Sequence, residues 1–110
     1  MKTNSTNKQP DFQKSESYEP RNEREKLLVK VIVSLKSEEN TAALLRDLLT
    51  LPELEEFANR ITIAKRLLKG DSYLSISRDF GVSTTTVTRV AHWLYNGCGG
   101  YMQALKKTNP

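Results

Sequence analysis

The segment SYLSISRDFGVSTTTVTRVAHWLY, residues 72–95, constrains the fold of this chain more than any other. It predicts two short helices joined by a glycine turn. Ile76 and Phe80 lie four apart and share one face of the first helix. Gly81 follows directly, where a sharp turn between helices calls for a residue that tolerates positive φ. Val82 fills the corner, and Ser83 can cap the second helix by accepting from a backbone N–H near Thr86. Val87, Val90 and Leu94 then continue a buried stripe at spacings of three and four. The pattern is that of a helix-turn-helix.

Between the apolar positions of the second helix stand Thr84, Thr85, Thr86, Thr88 and Arg89. Threonine is a poor helix former, so its concentration here points to a role beyond local stability. On a helix lying in the DNA major groove, a hydroxyl reaches phosphate or a base edge and the methyl meets a thymine methyl. By position, Thr84, Thr85 and Thr88 are expected to face the groove. Ser83 and Thr86, at the helix start, suit phosphate. Tyr73 and Arg78 on the first helix can reach the backbone, Arg89 can contact phosphate, and Lys65, Arg66 and Lys69 are candidates for further phosphate contacts.

The remainder of the chain reads as helix throughout. Residues 1–20 are polar, carry two prolines and lack an apolar period, which predicts a disordered tail before a helical domain over 21–107. Leu27, Leu28, Val31, Ile32 and Leu35 predict a first helix over about 22–36, with Val29 and Val33 widening its apolar face. A second covers about 38–49. Thr50 and Glu53 form a capping box for a third, whose expected buried face is Leu54, Phe57, Ala58, Ile61, Leu67 and Leu68, ending at Gly70. Gly97, Gly99 and Gly100 separate the helix-turn-helix from a short last helix near 101–106. The result is an all-α fold of six helices. Its early helices carry more apolar surface than a small domain hides, which predicts a homodimer. Two recognition helices about one DNA turn apart would suit a palindrome.

Charge follows the same division. Residues 1–59 hold nine Lys/Arg against eleven Asp/Glu, and residues 60–110 hold eight against two, so the chain's net +4 resides in its second half. That is the electrostatic footprint of a DNA-facing side. The apolar runs are too short to span a membrane, and Lys2 is not followed by an apolar signal region, so a cytoplasmic protein is expected. The single cysteine, Cys98, excludes an intrachain disulfide. His92 has no partners at metal-ligand spacing, so no metal site is expected. Nothing in the sequence supplies a nucleophile–base pair or a carboxylate dyad, which argues against an enzyme. The function expected is a sequence-specific DNA-binding transcriptional regulator, a repressor. The alternative is a protein-interaction module that docks the same fold on a replication or transcription partner.

LLTLPELEEFANRITIAKRLLKG (48–70) and FGVSTTTVTRVAHWLYNGCGGYMQAL (80–105) resemble the Trp repressor superfamily, and within it the small bacterial Trp-repressor-like proteins of the YerC/YecD type. The resemblance implies an intertwined all-helical homodimer that binds operator DNA. In tryptophan-responsive members of the superfamily, L-tryptophan is the corepressor. It further implies that Thr50, Arg60 and Arg89 match positions that hold tryptophan in those members, whereas Val90 stands for a glycine and Trp93 for a serine. Both changes add bulk where an indole would lie, so tryptophan is disfavoured as a corepressor and a small-molecule effector is left open. Trp93 either fills the ligand pocket from within or packs as a core or dimer-contact aromatic.

Overall fold

The computed structural model describes residues 16–108, so most of the expected tail lies outside the described residues. Six helices run in order: α1 (Glu23–Ser34), α2 (Glu38–Leu48), α3 (Leu51–Leu68), α4 (Tyr73–Phe80), α5 (Thr84–Asn96) and α6 (Gly100–Thr108). Among the described residues there is no strand. The chain divides into two compact units, one of residues 18–57 and one built from residue 58 onward.

Helices α1 to α5 each begin where a side chain can satisfy backbone N–H groups that have no partner inside the helix. Asn22 accepts from the amide of Glu25, Ser37 from Asn40, Ser72 from Ser75 and Ser83 from Thr86. Thr50 and Glu53 form the reciprocal box expected of them: the Thr50 amide donates to Glu53 Oε1 at 2.9 Å, and the Glu53 amide donates to Thr50 Oγ1 at 3.2 Å.

The unit from residue 58 onward owns the core. Ile63, Ala64 and Leu67 of α3, Ile76 of α4, Val87, Val90, Ala91, Leu94 and Tyr95 of α5 and Leu105 of α6 are buried together. Phe80, Val82, Tyr101 and Met102 pack against them. The stripe read from α4 and α5 is therefore the one observed. On α3 the outcome differs. Leu67 is buried as expected, but it is joined by Ile63 and Ala64, whereas Phe57, Ile61 and Leu68 stay exposed. The helix carries two adjacent apolar stripes, and α4 and α5 offer a partner to only one of them.

In the unit of residues 18–57, neither α1 nor α2 contains a buried residue. The predicted α1 stripe is in place but uncovered: Leu27 is 61% and Val33 75% exposed. Burial of α1 on more than one side does not occur within one chain. Its entry is instead held by polar contacts. Arg21 Nε and Nη2 donate to Glu25 Oε2 at 2.8 and 2.5 Å, the Arg21 amide donates to Glu25 Oε1 at 2.9 Å, and the Tyr18 hydroxyl adds a fourth bond to the same carboxylate. Those bonds, the Arg21 guanidinium first, lower the Glu25 pKa to about 2.

Candidate nucleic-acid interface

The turn between α4 and α5 is built from backbone closure and one side-chain lock. Gly81 adopts φ +66°, ψ +30°, the left-handed conformation that a Cβ disfavours. Its amide donates to the Arg78 carbonyl at 3.3 Å, and the Val82 amide donates to the Ser77 carbonyl at 3.1 Å. These are the paired bonds that close a helix of this kind. The Ser77 hydroxyl reaches forward to the Val82 carbonyl at 2.5 Å, so the turn is fastened from both sides. Val82 then turns its side chain onto the core.

Arg66 ties α4 to the preceding helix. Its Nε lies 2.5 Å from Asp71 Oδ2 and its Nη2 3.0 Å from Asp79 Oδ2. The guanidinium also lies 5.9 Å from the centre of the Phe80 ring. Asp71, and then Asp79, hold this arginine above its ordinary pKa against the opposing effect of partial burial. The expectation that Arg66 contributes a phosphate contact is therefore corrected. Its side chain is only 23% exposed, and its donors are turned inward to join α3, the α3–α4 turn and α4. Lys65 and Lys69, by contrast, are exposed.

On this frame α5 presents two unlike sides. Val87, Val90, Ala91, Leu94 and Tyr95 are buried, whereas Thr84, Thr85, Thr88 and Arg89 are exposed and Thr86 is half-buried. Thr84 and Thr88, four residues apart, form one strip along the helix, and Thr85 and Arg89 form the next. At the helix start, Ser83 Oγ accepts from the Thr86 amide at 3.2 Å and lies 3.2 Å from Thr86 Oγ1. The cap leaves the amides of Thr84 and Thr85 facing outward at the positive end of the helix dipole. On α4, Tyr73 is half-exposed and the Arg78 side chain is 71% exposed, its Nε 3.8 Å from Asp79 Oδ1. That loose, solvent-facing pair is too weak to fix the arginine.

Of the residues suggested as a ligand pocket, Val90 is a core residue and Thr50 is engaged in the α3 capping box in the unit of residues 18–57. Arg60 is exposed and lies close enough to Tyr101 to oppose the upward shift that burial imposes on that phenol. Trp93 is 49% exposed, so within one chain it is not a core aromatic. It stands edge-on to His92, with ring centres 5.2 Å apart. Gly97 closes over it: a Cβ there would fall 2.4 Å from the Trp93 carbonyl oxygen. Periodicity did not reveal this role of Gly97, nor the Arg66 clamp, because both depend on groups brought together by turns. The one available signal was an arginine followed at five residues by an aspartate across a glycine.

Residues 23–109 match the family model described as Trp repressor protein. The chain is 36% identical over 76 residues to the uncharacterized protein YerC of Bacillus subtilis (strain 168), covering 69% of this chain and 73% of YerC. It superposes on the crystal structure of a TrpR-like protein from Eubacterium eligens ATCC 27750 with a TM-score of 0.74 and 28% identity, over 80% of this chain and 91% of that one. A putative Trp repressor from Staphylococcus aureus gives a TM-score of 0.74 and 29% identity, over 81% of this chain and 89% of that one.

Proposed function

Because this chain belongs to the Trp repressor family, we propose that it is a sequence-specific DNA-binding transcriptional regulator, a repressor, that works as a homodimer in the cytoplasm and needs no tryptophan. The observation that carries this reading is the exposed strip of Thr84, Thr85, Thr88 and Arg89 on a helix whose opposite side is fully buried. A rigid rod with hydrogen-bonding groups on its free side suits the major groove. Tyr73 and Arg78 on α4, Ser83 and Thr86 at the cap, and the outward amides of α5 would take the flanking phosphates. The basic second half of the chain would steer this surface towards a polyanion.

The dimer is supported by what the first helices leave uncovered. An isolated helix as short as α1, 12 residues, is marginal in water. A second copy placed over Leu27, Ile32 and Val33 of α1 would supply the missing burial. Independence from tryptophan is supported by Val90 and Trp93, whose bulk replaces a glycine and a serine of the tryptophan-binding pattern.

Fluorescence anisotropy with duplex DNA, from low to high salt, tests the reading. Binding should weaken steeply as salt rises. Arg78→Ala should weaken cognate and random duplexes alike and reduce the salt slope by about one. Titration calorimetry with L-tryptophan should show no tight binding. Failure to bind any duplex at low salt would favour a protein-interaction module instead.

A further inference from the structure

The exposed threonines of α5 are not equivalent as hydrogen-bonding groups. Thr88 Oγ1 donates to the Thr84 carbonyl one turn earlier, at 2.9 Å. Among the described residues, the hydroxyls of Thr84 and Thr85 make no bond of this kind and can turn to act as donor or acceptor. A hydroxyl has a single hydrogen and two lone pairs. With its hydrogen returned to the helix backbone, Thr88 presents lone pairs and a methyl group to whatever lies outside.

This polarity decides what the side chain can recognise. Phosphate oxygens only accept hydrogen bonds, so Thr88 in this state is a poor phosphate ligand and belongs to the base-reading part of the strip. In the major groove the available donors are exocyclic amines, N6 of adenine and N4 of cytosine. Guanine offers acceptors at N7 and O6, and thymine offers O4. Freeing the Thr88 hydrogen to meet a keto oxygen would forfeit the bond to Thr84, a factor of roughly 3 to 10 in binding. Resting on the DNA-binding reading above, we infer that Thr88 is a specificity-determining residue. It selects an amino-bearing base, adenine or cytosine, over a keto-bearing one at the position it meets.

The test begins with selection of bound sites from random duplex DNA by the full chain, repeated with Thr88→Val, which keeps shape and methyl but has no lone pairs. The valine variant should lose the amino-over-keto preference at one position per half-site by about 3- to 10-fold. Thr88→Ser should keep it, and Thr84→Val and Thr85→Val should not remove it. At that position, unmodified protein should lose a similar factor when adenine is replaced by unsubstituted purine, or cytosine by 2-pyrimidinone, and whichever replacement acts identifies the base. An unchanged preference in Thr88→Val with unaltered melting, or full affinity for the amine-free analogue, overturns the inference while leaving DNA binding intact. Should the valine variant fail to fold, the serine variant and the analogues on unmodified protein still decide. If unmodified protein binds no duplex at all, the regulator reading falls, and this inference falls with it.

Discussion

The unit from residue 58 onward and the unit of residues 18–57 are both built of capped amphipathic helices, yet only the first buries a core. In the former, α3, α4 and α5 approach at turns fixed by Gly70, Gly81 and the Arg66 clamp, and their apolar stripes close on one another. In the latter, α1 and α2 have good caps and apolar faces as strong in composition, but no buried residue. Amphipathicity specifies that a helix needs a partner. It does not specify whether the partner is in the same chain.

The contrast can be broken most directly through Leu67, which is fully buried. Leu67→Ala should lower the stability of the unit from residue 58 onward by about 2–5 kcal/mol, read as a large fall in the thermal midpoint. A small effect would mean that α3, α4 and α5 do not share one continuous core.

A pH scan should separate the two units by sign. Burial, with Tyr73 nearby as the lesser cause, pushes the Tyr95 phenol up to about 12, from an ordinary value near 10. A raised folded-state pKa stabilises below the unfolded value and is lost as pH rises through the folded one. The unit from residue 58 onward should therefore weaken between about pH 10 and pH 12, checked by melting alongside ultraviolet titration of tyrosinate. Glu25 has the opposite sense. Its pKa is lowered to about 2, so its contribution to the α1 entry is complete above the ordinary carboxylate range and fades as the solution is acidified towards pH 2. Loss of α1 helicity at neutral pH in Glu25→Gln would agree with this, and unchanged helicity would count against it.

Arg66→Met should reduce stability by only about 1 kcal/mol, because the ion pairs it breaks are partly solvated. DNA affinity should fall by more than the lost stability explains, since α4 would no longer be held against α3. Equal affinity in the variant would leave Arg66 without a positioning role. The smallest expected effect is that of Leu27→Ser. Its side chain is already exposed, so the unit from residue 58 onward should melt within about 0.5 kcal/mol of the unmodified protein. The same change should lower the dimer fraction in sedimentation experiments. An unaltered dimer would place the subunit interface elsewhere.

Much of the α4–α5 pair was legible because its determinants are local. Ile76, Phe80, Val87, Val90 and Leu94 recur at helical spacing, and Gly81 and Ser83 mark a turn and a cap by their own backbone and side-chain chemistry. The extents of α1 and α2 also followed from apolar spacing, although the sequence reading placed their ends one or two residues further on, and the capping side chains of Asn22 and Ser37 emerged only in the structure. Ile63 and Ala64 were missed because α3 is apolar on two neighbouring stripes, and spacing cannot rank them. Arg66 was misread as a surface cation because Asp79 lies thirteen positions away and meets it only after the chain has turned at Gly70.

The amino-acid sequence by itself determined six helices, their starts, the glycine-hinged pair and the row of threonines on its second member, since propensity, capping and period act over a few residues. Only the tertiary structure decided which α3 stripe is covered and that Arg66 faces inward. Those outcomes depend on which groups three-dimensional packing brings within bonding distance and on the rotamer each side chain then adopts, and neither quantity is encoded in spacing along the chain.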